Sequence, residues 1–223
     1  MDWSIWLKDD KRQLLLISVV MYALFIVFLP TVGHAWDNAC WGMWSTRMTS
    51  QGIHAAYTEG STVNYLPLYL YVLKAYGEWM GTEHIYAHTY YLKAFTLIFD
   101  FGSAYLICSR LNQVKNKWKY LIFIFLNIGF VYNTYFWNQV DGILSFFVLW
   151  SFFMAIENKL ALSMLAYLLA LNFKLQGILF FPVIGILWLR AFNVKQLLFG
   201  LLYCALAEFI ILLPFIYAGV VAN

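Results

Sequence analysis

Trp137-Asn138-Gln139-Val140-Asp141 decides how this chain is read. The stretch stands between an apolar run at 120–136 and another at 140–156, and it ends in a carboxylate. Two apolar runs close to the length of a bilayer crossing suggest membrane helices. A polar cluster at their mouth then needs a reason, because polar groups in or near hydrocarbon are costly and mark substrate or ion paths.

The rest of the composition agrees. The chain has 223 residues, of which 63% are hydrophobic and 11% charged, well outside the usage of soluble domains. Aromatics make up 21%, and Trp and Tyr favour the membrane–water interface. The fold class expected is an all-α polytopic membrane protein. The net charge of +3 gives no sign of a nucleic-acid partner. Cys40, Cys108 and Cys204 share no motif spacing, so neither a disulfide framework nor a zinc site is expected. The first apolar run is too long for a cleaved leader and reads as a retained anchor.

Further runs lie at 13–31, 90–109, 160–173, 175–189 and 197–217. With 120–136 and 140–156 they suggest about seven spans, two of them shorter than the roughly 17 residues of a minimal crossing. Positive-inside counting places the N-terminus, with Lys8, Lys11 and Arg12, in the cytoplasm. Arg110, Lys115, Lys117, Lys119, Lys159, Arg190 and Lys195 then face the same side. Fusing 160–173 with 175–189 would strand Lys174 in lipid, so two short helices meeting at a polar break are expected.

Residues 33–89 form a long first extracytoplasmic loop in this topology. Within it, 65–80 reads as an interfacial or re-entrant helix starting at Pro67, with Lys74 and Glu78 at i, i+4. The stretch 36–48 reads as a second interfacial helix, with Trp36, Cys40, Met43 and Trp44 near one face. Asp37, Asn64–Pro67, Trp137–Asp141 and Lys174–Gln176 all emerge on the extracytoplasmic side.

These clusters resemble the membrane-embedded GT-C glycosyltransferases, especially mannosyl- and glucosyltransferases that take sugars from polyprenyl-phosphate carriers. Asp37 after the first run, then Trp44, Gly52, Tyr57 and Asn64-Tyr65-Leu66-Pro67-Leu68-Tyr69, is similar to the family's first-loop pattern. Lys93 and Asp100 resemble a basic–acidic pair on the next span. Asn133 followed by Trp137–Asp141 resembles an Asn…Trp-Gly-Gln-x-Asp signature, and Lys174-Leu175-Gln176 a Lys-x-Gln segment. Asn138 stands where the family commonly has Gly, and Leu66 where a first Pro is common. Asp37-Asn38-Ala39 replaces Asp-x-Asp, which argues against a two-carboxylate metal site. The resemblance covers about residues 10 to 190. It implies one seven-helix module over 1–223, complete, inactive, or a fragment lacking a C-terminal module.

The resemblance implies an inverting hexosyltransferase that moves a mannose- or glucose-like sugar from a polyprenyl phosphate to a glycan or lipid-linked acceptor. Such a reaction needs a base, a cation for the leaving phosphate, and a sugar pocket. Asp37 is the expected catalytic base, because a carboxylate at a membrane face beside Trp36 and Trp41 is partly desolvated; its alternative is a helix N-cap. Lys174 is the expected phosphate partner, with Gln176 beside it; its alternative is snorkelling to headgroups. Lys93 and Arg47 are further phosphate candidates. Trp137, Asn138, Gln139 and Asp141 are expected to hold the sugar, an indole suiting a pyranose face and the amides pairing with hydroxyls; their alternative is a polar cap between spans. Asn64, Tyr65, Tyr57 and His54 complete the substrate-binding candidates. Asp100 reads as structural, and Glu208 as packed, neutral or paired.

No metal or other cofactor is expected: of His34, His54, His84 and His88, only the last two are spaced for one helix face. A competing reading is a non-catalytic protein that binds or transports a polyprenyl-phosphate sugar, or an inactive module. The localisation expected is a multi-pass membrane protein with an extracytoplasmic site, in a bacterial inner membrane rather than the endoplasmic reticulum.

Overall fold

The structure is a computed structural model that describes residues 10–111 and 114–218. Lys8, counted among the cytoplasmic charges, lies outside the described residues. No strand occurs among them, and the helices are α1 (Asp10–Val27), α2 (Ala35–Gln51), α3 (Pro67–Met80), α4 (Leu92–Ser109), α5 (Lys117–Phe125), α6 (Ile128–Val131), α7 (Asp141–Ile156), α8 (Leu160–Phe173), α9 (Phe181–Arg190) and α10 (Val194–Tyr217). Short 3-10 segments occupy Ile53–Tyr57, Tyr86–Tyr91 and Leu175–Phe180, and Tyr132–Phe136 is a π-helical turn. The all-helical class read from the sequence is what the chain adopts.

Among the described residues two helices are long and apolar enough to cross a membrane, Tyr86–Ser109 and Val194–Tyr217, against the about seven spans expected from the apolar runs. The first helix fails that test although its core is apolar, because Asp10, Lys11 and Arg12 begin it.

Several boundaries have visible local causes. Pro67 opens α3 from an extended Leu66, and Gly81 closes it at φ +73°, its N–H bonded to the Gly77 carbonyl at 2.9 Å. The run at 120–136 is not one helix. Asn127 interrupts it, its side chain accepting from the amides of Gly129 (3.0 Å) and Phe130 (3.4 Å) and so starting a new helix. Between α8 and the next 3-10 turn, Lys174 is extended (φ −154°, ψ 120°), so the helices on either side do not fuse.

The chain forms two compact units, one from Met1–His34 and Tyr90–Phe146, the other from Ala35–Thr89 and Phe147–Asn223. The first has a core of Leu14, Leu97, Phe101, Ala104, Cys108, Leu121 and Phe125, filled in by Tyr22, Phe25 and Tyr135. Hydroxyls fasten its edges: Tyr22 donates to the Ala94 carbonyl at 3.0 Å, and Tyr135 to that of Phe28.

In the second unit α2 packs on α3 through small residues. A Cβ at Gly77 would lie 2.1 Å from Thr49 Oγ1 and 2.5 Å from Ser45 Oγ, and Ser45 donates to the Leu73 carbonyl at 2.6 Å. The buried face of α2 is Trp41, Gly42, Trp44, Ser45 and Met48. This corrects the face expected from the sequence: Trp44 is buried, whereas Trp36 is 74% exposed and Met43 is also exposed. The helix turns its small residues and larger rings toward α3, and that packing outweighs the pattern of apolar spacing. Ser151 and Ser163 exchange bonds to each other's carbonyls (2.9 and 2.7 Å), and Trp188 Nε1 donates to Ser163 Oγ at 2.7 Å. Glu208 is paired, accepting from the Asn172 amide at 2.8 Å.

Candidate functional site

In the second unit the candidate site begins with an aromatic cluster between α2 and α3. Trp41 lies 5.3 Å from Trp44, 5.2 Å from Tyr65 and 5.1 Å from Tyr69, ring centre to ring centre. Tyr65 and Tyr69 are 5.7 Å apart. Trp44 donates from Nε1 to Thr62 Oγ1 at 3.0 Å, which orients its indole.

Charge of opposite sign meets this cluster. Asp37 is the third residue of α2 rather than its N-cap, in the first turn where the helix dipole favours a carboxylate. It is half-buried and near enough to Tyr69 and Cys40 to act on both. Lys174, held by the helix break, places its ammonium 5.9 Å from the centre of the Tyr65 ring, a distance at which a cation and an aromatic face attract. Tyr69 is only 1% exposed, and its hydroxyl is buried with no hydrogen-bond partner. Burial, reinforced by Tyr65 and Asp37, pushes its phenol well above the ordinary value of 10.0. Tyr69 therefore stays a neutral donor over any physiological pH range.

The other candidates of this unit have different duties. Arg47 holds a loop: Nε donates to the Ala55 carbonyl (2.8 Å), Nη1 to Gly60 (3.2 Å), and Nη2 to Thr58 Oγ1 (3.1 Å) and the Glu59 carbonyl (2.9 Å). The phosphate role expected of it gives way to these contacts. Tyr57 donates to the Tyr65 carbonyl at 2.7 Å, tying the same loop to the cluster, and packs on Phe215 at 5.2 Å. His54 is half-buried near Gly52, whose φ of +91° requires glycine. Asn64 and Gln176 are exposed.

Lys93, Trp137, Asn138, Gln139 and Asp141 belong to the first unit. Lys93 is fully buried and donates to the carbonyls of Pro30 (2.8 Å) and Val32. It anchors the turn that follows α1, which occupies the ammonium expected to meet a phosphate. His34 stacks on Trp137 at 4.8 Å, and its amide donates to the Trp137 carbonyl at 2.9 Å. One face of the indole is thus covered within the protein.

The backbone of this segment is irregular throughout. The Trp137 amide reaches back to the Tyr132 carbonyl (2.9 Å) and that of Gln139 to Asn133 (3.0 Å), closing a π-turn. Such turns recur at functional sites. Asn138 has φ +73°. Asn tolerates the left-handed region better than other side chains, which accounts for Asn at the position where the resembled signature carries Gly. Asp141 then opens α7.

Trp41, Trp44 and Tyr69 are the members of the cluster that sequence reasoning leaves out of the site. The i, i+3 spacing of Trp41 and Trp44 on α2 is a signal for the first two. No sequence signal points to Tyr69. No protein-family model matches this chain, nor does any curated protein or solved structure.

Proposed function

We propose that this protein is an integral-membrane glycosyltransferase of about seven spans. It transfers a mannose- or glucose-like hexose from a polyprenyl phosphate to a glycan or lipid-linked acceptor on the extracytoplasmic face. The carrying observation is that Asp37 and Lys174, far apart in sequence, meet the same aromatic cluster, one beside Tyr69 and the other over Tyr65. A carboxylate, a cation and aromatic faces are the three parts such a transfer uses.

In this reading the Asp37 carboxylate takes the proton of the acceptor hydroxyl. The oxygen attacks the anomeric carbon from the face opposite the carrier, forming the new glycosidic bond as the carbon–oxygen bond to phosphate breaks. The polyprenyl phosphate leaves with the bonding pair, and Lys174 offsets its charge. Configuration is inverted in one step. The half-buried Tyr65 supplies a ring face for the sugar, and the buried Trp41 and Trp44 behind it hold that ring in place. No metal or cofactor is invoked, and membrane lipid surrounds the helices.

Trp41 and Trp44 make donor binding readable by fluorescence. Titrating short-chain polyprenyl-phosphate mannose and glucose into the detergent-solubilised protein should quench tryptophan emission saturably. Lys174→Ala should weaken the affinity at least tenfold while leaving the folded far-ultraviolet spectrum intact. Unchanged affinity in Lys174→Ala removes Lys174 from the phosphate site and with it the support drawn from the cluster.

A further inference from the structure

The first unit carries an open cavity of about 560 Å³ for which sugar transfer has no use. Lys115, Asn116, Lys119, Tyr120 and Phe123 line it. A volume of that order lies within the range of sites that hold a small organic ligand. All five residues are exposed, so the cavity opens to its surroundings.

Its position follows from the helix before it. Tyr86–Ser109 is long and apolar enough to cross a membrane, and the residues just past its end then lie at a membrane face. Between Asp100 and Asp141 the chain has Arg110, Lys115, Lys117 and Lys119 and no acidic residue. Such a basic loop marks the cytoplasmic side, where the leaflet carries anionic lipid.

The local fold gives the cavity two unlike ends. Asn116 is left-handed (φ +58°), and its carbonyl accepts from the Lys119 amide at 3.0 Å. That turn brings Lys115, which precedes α5, onto the cavity that Lys119 lines from within the helix. Lys117 serves elsewhere, near enough to Cys108 of the core to act on it. Phe123 follows Lys119 by four positions, on the same helix face and about 6 Å further along. The other face of α5 is closed: Leu121 and Phe125 are buried in the core, whereas Phe123 is 74% exposed. Two ammoniums stand at one end and exposed rings at the other.

Among the described residues neither Lys115 nor Lys119 has a carboxylate partner. A soluble phosphate would engage the ammoniums and leave the rings unused. A bare hydrocarbon chain would cover the rings and leave two like charges together. A molecule with an anionic head on a hydrocarbon chain matches both ends.

We propose that Lys115, Asn116, Lys119, Tyr120 and Phe123 form a binding site for one anionic phospholipid of the cytoplasmic leaflet. The two ammoniums take its phosphate as point charges, and the first methylenes of its chains lie on Tyr120 and Phe123. The site rests on Tyr86–Ser109 crossing the membrane and is independent of the proposed sugar transfer.

Native mass spectrometry of the purified full chain in detergent tests this, with phosphatidylglycerol and phosphatidylcholine of identical acyl chains. One phosphatidylglycerol per chain should bind at least tenfold more tightly than phosphatidylcholine, as two lysines at an anionic headgroup require. The double variant Lys115→Ala/Lys119→Ala should abolish that preference. Arg190→Ala/Lys195→Ala removes the same charge from another exposed basic pair and should leave the preference intact. Glycerol phosphate at the same concentration should not displace the lipid. Equal binding of the two lipids overturns the proposal. An equal loss in both double variants also overturns it, since the attraction is then non-specific. Displacement by glycerol phosphate does so too, by making the ligand a soluble phosphate.

Discussion

Arg47 offers a sharp separation between a substrate ligand and a structural clamp. Its guanidinium makes four bonds to the loop 55–60, two of them part-buried, to the Ala55 carbonyl and Thr58 Oγ1, and two exposed, to the carbonyls of Gly60 and Glu59. Part-buried bonds from a charged donor contribute about 1–1.5 kcal/mol each, and exposed ones a few tenths. Arg47→Ala should therefore cost the loop about 3 kcal/mol of local stability. At 1.4 kcal/mol per decade, amides in the loop should exchange about a hundredfold faster. Hydrogen–deuterium exchange read by mass spectrometry over 53–61 measures this directly. Arg47→Lys should recover only a small part, because an ammonium cannot reproduce the planar fork. Unchanged exchange in Arg47→Ala would refute the clamp and return Arg47 to the list of phosphate ligands.

Gly142→Ala drives a Cβ to 2.2 Å from Asp100 Oδ1, and should destabilise by about 1–3 kcal/mol; the double variant with Asp100→Ala should recover most of that, and additive midpoints would contradict the contact. Gly77→Ala meets Thr49 and Ser45, so a loss of about 1–3 kcal/mol in detergent unfolding is expected. Asn138→Gly should cost much less than Asn138→Val, since φ is +73° there; equal effects would argue against that backbone. The raised Tyr69 phenol holds its proton in the folded chain above the ordinary value of 10.0, where the unfolded chain loses it. Stability from this group is thus full below pH 10 and declines as pH rises beyond it, and Tyr69→Phe should flatten the alkaline limb of a midpoint-against-pH curve.

Where a residue acts through its own backbone, the sequence could be read. Pro67 fixes the start of α3, and the Lys174 break was inferable from the cost of placing a lysine in lipid. Asp37 and Lys174 were expected to emerge together, and Asp37 acts on Tyr69 while Lys174 lies over Tyr65 of the same cluster, although that expectation carried no distances. Side chains reaching across the chain were not legible. Arg47 and Lys93 read as cations near a membrane face, yet backbone carbonyls of neighbouring loops hold both, and nothing in local composition reports a loop folding back. Trp44 was assigned with Trp36 and Met43 because spacing ranks apolar residues alike. The structure separates them by the small residues on which α2 rests. Gly142 matters only through Asp100, an approach between segments more than forty residues apart.

The central claim is tested most directly by sugar transfer. Labelled polyprenyl-phosphate mannose and glucose are presented with candidate glycan and lipid acceptors in proteoliposomes, for the wild type beside Asp37→Asn. The account predicts transfer with inverted anomeric configuration by the wild type, and loss of transfer with donor binding retained in Asp37→Asn. Transfer undiminished in Asp37→Asn would contradict it by removing the base, and donor binding without transfer in the wild type would make the protein a carrier of lipid-linked sugar rather than an enzyme.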